Sequence, residues 1–298
     1  LVEALESTVQ RSGERGITYV CGSSTVTETY TALLDHARRL LNELIRQLQP
    51  RPREAIALQL TEKRDHIRMI WACALGGFPT LTVAVAPQLL PTNAVAAKLV
   101  AAVAMLQARH VIASDEIVAP LRALLPATVV TAMTALDKAA PVSIDSAMQP
   151  LPRVLPPIAS EDVLFFQLTS GSTGVPKVIP ETHRAVIAHI RQTAQRHGAL
   201  PHTETSLNWL PFDHVVPMLT LHLADVYLGR AAVQLPTDEV ISDPLLWLRT
   251  MAAHRVTHSW APNFGFKLAV ASLRGAGDAA HLVGGLSSVQ RLMNAGEQ

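Results

Sequence analysis

The chain has 298 residues, enough for roughly two domains, and at that length it buries about 75% of its extended-chain surface, so it needs no disulfide staple or structural metal. Its 25 Lys and Arg against 24 Asp and Glu leave a formal charge of +1, too balanced for a nucleic-acid arm or a basic membrane surface. With 49% apolar and 16% charged residues it is no disordered chain, and its two cysteines, Cys21 and Cys73, suit a reducing cytosol rather than a disulfide framework.

The start, Leu1-Val2-Glu3, shows neither a signal-sequence pattern nor an initiator Met, which is the expectation for a piece of a longer chain. From Tyr30 the residues Leu33, Leu34, Ala37, Leu40, Leu41, Leu44, Ile45 and Leu48 recur at helical spacing, up to Pro50 and Pro52. Ala55 to Leu60 reads as a buried strand, Asp65 to Leu75 as a helix ending at Gly76-Gly77, and Thr80 to Val85 as a strand. The uncharged stretch from Met69 to Ala97 is no membrane span, because Gly76, Gly77, Pro79, Pro87 and Pro91 interrupt it. A Thr92/Asn93 cap opens a helix to about Gln107, and His110 to Ala113 and Ala127 to Thr131 are further short strands. Four prolines (150, 152, 156 and 157) make the passage from Val142 to Ser160 an extended linker or an edge passage. The alternation then resumes: a strand at Val163 to Leu168, a helix at Thr182 to His197, and a strand at Ser206 to Leu210. Asp243-Pro244 starts another helix, Val256 to Trp260 is a strand, and Asn263 to Leu273 a helix. Strands and helices alternating in this way predict an α/β fold, two lobes of mainly parallel sheet flanked by helices, with the boundary near residue 160.

The stretch that carries chemistry is Leu168-Thr169-Ser170-Gly171-Ser172-Thr173-Gly174-Val175-Pro176-Lys177, directly after a buried strand. Glycines let backbone N–H groups approach an anion, hydroxyls add donors, and a lysine supplies a point charge. A loop that cradles phosphate oxygens is one reading; a Ser/Gly-rich surface turn is the other. The P-loop NTPase pattern fails on spacing, since Pro176 precedes Lys177 and Val178 comes after it.

The order Thr-Ser-Gly-Ser-Thr-Gly-x-Pro-Lys resembles the signature loop of the adenylate-forming superfamily, which includes acyl-CoA synthetases, fatty acyl-AMP ligases and the adenylation domains of nonribosomal peptide and polyketide synthases. Other segments resemble that family in the same order: Tyr30 to Leu41, Trp71 to Gly77, Trp209-Leu210-Pro211-Phe212-Asp213-His214, Ala261-Pro262-Asn263-Phe264 and Asn294-Ala295-Gly296-Glu297. The resemblance covers essentially the whole chain, and is strongest to the loading ligases of polyketide and hybrid assembly lines.

The resemblance implies that a carboxylic acid attacks the α-phosphate of ATP, that pyrophosphate leaves, and that the acyl-adenylate passes to the phosphopantetheine thiol of a carrier-protein domain. Thr169, Ser170, Gly171, Ser172, Thr173, Gly174 and Lys177 would hold the departing phosphates with Mg²⁺, and Asn294, Ala295, Gly296 and Glu297 would lie against the adenine. Phe212, Asp213, His214, Asn263 and Phe264 would line the acid pocket, His214 contacting the reacting carboxylate. The chain stops at Gln298, before the family's Mg²⁺-contacting Thr-Glu segment, its ribose-binding Asp and its C-terminal subdomain with the catalytic Lys, so this piece is expected to be inactive alone. Coenzyme A as acceptor, in an acyl- or aryl-CoA ligase, is the alternative; a noncatalytic nucleotide-binding or interaction fragment is the other.

Two residues stay open. His214 could be a loop residue bonded to its neighbour. Asp213 either takes the family's aromatic position or mimics the Asp that binds an α-amino group; the Asn263-Phe264 match favours the first, hence an acid lacking that group. No metal site is expected, since His254 and His258 share no helical face and His183 and Glu181 belong to a helix start.

Overall fold

The computed structural model describes residues 1–138, 154–169, 177–198, 203–275, 277 and 279–295. Helix α1 (Val2–Ser12) leads into the hairpin of β1 (Gly16–Cys21) and β2 (Ser24–Thr29). Next come α2 (Tyr30–Leu48), β3 (Ile56–Gln59), α3 (Lys63–Gly76), β4 (Thr80–Thr82), α4 (Ala94–Leu106), β5 (His110–Ala113), α5 (Val118–Leu124), β6 (Val129–Ala132) and α6 (Met133–Asp137). Strand β7 (Val163–Thr169) turns back into β8 (Lys177–Thr182), with α7 (His183–Arg196) and β9 (Thr205–Asn208) after it. A π-helical segment (Val216–Leu223) continues as α8 (Ala224–Leu228) into β10 (Ala231–Gln234). The described chain closes with α9 (Thr237–Ser242), α10 (Pro244–Ala253), β11 (His258–Ala261), α11 (Asn263–Gly275), α12 (Ala279–Gly284) and β12 (Arg291–Asn294). No described helix is long and apolar enough to cross a membrane.

Local chemistry sets these boundaries. Asn93 accepts from the amides of Val95 (2.9 Å) and Ala96 (3.2 Å), satisfying donors that the first turn of α4 leaves open. Asp243 does the same for Leu245, with Pro244 in the first turn of α10. Helix α3 ends where Gly77 turns to φ 68°, a left-handed conformation that glycine adopts without a Cβ penalty. Along α2 the residues Leu33, Ala37, Leu40 and Leu44 are all buried, so the periodic stripe is the core face.

The described strands form two mixed sheets of six strands. One runs β6-β5-β3-β4-β7-β8, parallel but for the β7–β8 hairpin; its core packs Leu81, Leu99, Val111, Leu121 and Val130. The other runs β12-β11-β9-β10-β1-β2, parallel but for β1–β2, around Trp209, Trp247, Leu207 and Val256. The α/β architecture matches expectation, but the chain does not divide at residue 160. One compact unit comprises residues 1–2 and 32–189, the other 3–31 and 190–298. Strand β7 adds to β4 in the first unit, and β1 adds to β10 in the second (Ile17 opposite Ala232). These pairings join distant segments, which a local proline-rich passage does not reveal.

Candidate active site

In the first unit, β7 runs from buried Leu164 and Phe165 to Thr169, which stands opposite Lys177 at the start of β8. The antiparallel ladder thus fixes both ends of the signature stretch. Lys177 is exposed. Ser170, Gly171, Ser172, Thr173 and Gly174 lie outside the described residues, as do Gly296 and Glu297.

In the second unit the strand order makes a switch point. From β9 the chain moves to β10 on one side, then crosses back to β11 on the other, and β12 extends beyond it. Loops leaving the carboxyl ends of β9 and β11 therefore diverge, and the crevice between them is where open α/β sheets take ligands. The sequence-derived residues of this unit lie on or beside these loops. Trp209 to His214 leaves β9, Pro262-Asn263-Phe264 leaves β11, and Asn294 ends β12 opposite Ala261, with the Ala295 amide donating to the Ala261 carbonyl at 3.0 Å.

Buried Asn208 holds the first loop at its root. Its amide donates to the Leu210 carbonyl (3.1 Å) and to Gln234 Oε1 (2.9 Å), and its carbonyl accepts from Leu210 N (2.9 Å). Thr237 Oγ1 donates to the Trp209 carbonyl at 2.6 Å. Beyond this root Phe212 turns inward, 5% exposed, while the His214 side chain is 70% exposed. His214 Nε2 lies 3.8 Å from Asp213 Oδ2, so imidazole and carboxylate stand side by side at the mouth.

The second loop is shaped by aromatic packing that sequence patterns do not disclose. Phe264, 51% exposed, meets the Trp209 ring edge-on at 6.2 Å, and Trp209 in turn packs on Trp247 at 6.0 Å. Gly265 permits the approach: a Cβ there would stand 2.8 Å from Trp209 Cζ2. The available signal was a Gly after Asn-Phe at a helix start, with a Trp at the end of the neighbouring strand.

The chain matches the AMP-binding enzyme family over residues 5–298. The chain belongs to that family. Inactive atromentin synthetase invA3 of Paxillus involutus is 29% identical over 279 residues, covering 92% of this chain and 28% of that protein. Among solved structures, McyG A-PCP complexed with phenylalanyl-adenylate superposes with a TM-score of 0.87 at 29% identity, covering 99% of this chain and 52% of that one. The adenylation domain of a keto acid-selecting NRPS module bound to keto acyl adenylate gives 0.84 at 27%, with 99% and 53% covered. The chain thus spans about a quarter of that curated relative, and its fold is that of the adenylation domains over nearly its whole length.

The opposite, amino-terminal edge of the same sheet holds a buried ion network in this AMP-binding chain. Glu204 pairs with Arg230 (2.5 Å) and with Arg291; Asp225 accepts from Ser206 Oγ (2.5 Å) and lies 3.8 Å from Arg230 Nη1. Burial pushes the Asp225 carboxyl up to about 7, the nearby Arg230 charge offsetting it only in part. Burial, reinforced by Arg230, pushes His258 down to about 3. Burial raises Glu204, but the Arg291 hydrogen bond and the two arginine charges outweigh it and hold it below its usual value. A cleft of about 500 Å³ lined by Thr203, Arg255, Thr257 and Ser288 lies at this edge and includes none of the sequence-derived residues. The edge is therefore read as structural.

Proposed function

We propose that this chain supplies nucleotide- and acid-binding parts of a ligase that activates a carboxylic acid as its acyl-adenylate. The placement of Phe212, Asp213, His214, Asn263, Phe264, Asn294 and Ala295 on or beside the loops at the switch point of one sheet carries the reading, and family membership over residues 5–298 supports it. An oxygen of the acid carboxylate bonds to the α-phosphorus of ATP, the bond to the bridging oxygen breaks, and pyrophosphate leaves. In such displacements positioning and charge stabilisation do most of the work. Lys177 supplies a cation for the departing phosphates, together with Thr169 and the Ser170 to Gly174 stretch; Mg²⁺ bound with the triphosphate would share that charge. Asn294 to Glu297 takes the adenine, and His214 meets the carboxylate.

A phosphopantetheine thiol then takes the acyl group, and the likeness to a structure that includes a carrier protein favours that acceptor over coenzyme A. The two solved neighbours hold an aminoacyl and a keto acyl adenylate at similar likeness, so Asp213 decides the acid class here. The Asn263-Phe264 match leads us to favour an acid without an α-amino group. The free thiols of Cys21 and Cys73 suit cytosolic work. A noncatalytic role is the second reading, favoured by a relative whose name records it as inactive. Acid-dependent exchange of pyrophosphate into ATP, measured on the natural protein that contains this chain, separates the two: exchange is expected, and its absence with keto, aryl, fatty and amino acids alike would leave the noncatalytic role. Loading of a holo carrier protein in preference to coenzyme A tests the acceptor.

A further inference from the structure

The helix after the Trp209–His214 loop departs from α geometry. Residues Val216–Leu223 are π-helical, a form that carries about one extra residue per turn and therefore shifts the register of the later residues by roughly one position. Of this segment, Pro217, Met218, Leu219, Leu221, His222 and Leu223 are buried, while Val216 and Thr220 are half-buried. His222 is its one ionisable side chain. The imidazole meets the Phe212 ring edge-on, with centroids 5.8 Å apart and planes at 80°. Phe212 is the inward-turned residue of the loop and is bonded directly to Asp213, which precedes His214. Leucines flank His222 on both sides. An α register would bring one of these towards the seat, and neither offers a ring edge to the Phe212 face.

We propose that His222 is a positioning residue: its ring holds Phe212 and so fixes where Asp213 and His214 stand at the crevice, and the π turn selects it for that seat. The inference rests on the reading that Asp213 and His214 face the acid. Displaced groups at a reacting centre cost up to about a hundredfold, and a loop held from below should show this first in acid recognition. The test uses the natural protein containing this chain, with the exchange assay run against acid and ATP separately. H222L should raise the KM for the acid about tenfold while the KM for ATP stays within about twofold; H222F, which keeps a ring edge, should restore most of the loss. F212L should match H222L, and the double variant should be no worse than the poorer single one, as for groups acting as a unit. An unchanged acid KM in H222L, equal impairment of H222F, or a parallel rise in the ATP KM would overturn the proposal. Should H222L not fold, H222F and F212L decide it. A wild-type protein without exchange would instead remove the functional reading beneath it.

Discussion

Replacing Asp225 with Asn tests the electrostatics of the buried edge directly. Asp225 is fully buried and its carboxyl is raised from 3.8 to about 7. A group whose folded value exceeds its unfolded one binds protons more tightly in the folded state, so its stabilisation is complete at low pH and fades as pH rises through 7. Between pH 5 and pH 8 this single carboxyl should cost the wild type about 3 kcal/mol. His258, lowered from 6.5 to about 3, works in the opposite sense and returns about 2 kcal/mol over the same range. The two groups therefore act in opposite senses over this range. Asn cannot ionise yet can still accept from Ser206 Oγ, so D225N should unmask the histidine. Urea unfolding of both proteins at pH 5, 6, 7 and 8 should show the difference moving in favour of D225N by about 3 kcal/mol. A difference constant to within about 0.5 kcal/mol would mean that the carboxyl titrates normally in the fold, and the reasoning would fail.

Three further outcomes are expected. K177A removes an exposed cation, so thermal stability should hold while pyrophosphate exchange falls between about tenfold and a thousandfold, the range for one charge near phosphate; an unchanged rate would favour the noncatalytic reading. G265A places a methyl 2.8 Å from Trp209. Overpacking of about 1–3 kcal/mol, offset by about 1 from better helix propensity, should lower the melting temperature and alter tryptophan emission; an unaltered spectrum and melting temperature would count against the packing. His66, buried against Thr82 Oγ1 at 2.9 Å, is pushed down to about 4 by burial. Its stabilisation is present above 6.5 and lost as pH falls, so acidifying from pH 7.5 to 5 should cost about 2 kcal/mol that H66Q does not lose, read from urea midpoints.

How much could be read from the chain alone depends on where the signal lies. Residues 110–113 form the expected strand because all four are buried, and the α4 and α10 starts announce themselves through Asn93 and Asp243-Pro244. Strand β2 escaped because Ser24 to Thr27 are exposed and hold a single apolar residue, Val26, so there is no apolar run. Strand β8 escaped for a related reason: Lys177-Val178-Ile179-Pro180 lies on a sheet edge, where a proline is tolerated and little is buried. Motif order placed Phe212 and His214 between a strand and a helix and Phe264 at a helix start, but only strand pairing shows that β9 and β11 are neighbours. The contact between Trp209 and Gly265 joins residues far apart in sequence, and no local period encodes it.

The pairing of β1 with β10 also orders events in time. Residues 32–189 form an unbroken run whose sheet can close as soon as β8 has emerged. The Gly16–Thr29 hairpin has no such freedom, because the strand that flanks Ile17 ends the long wait only at Ala232. At ribosomal speeds of about 5–20 residues per second the gap lasts roughly 10–40 s. Throughout it Ile17-Thr18-Tyr19-Val20 offers an open ladder of amides and carbonyls to any passing strand. The open edge of β1 is thus exposed to misassembly until β10 has been made, and a chaperone that sheltered the hairpin during synthesis would protect it.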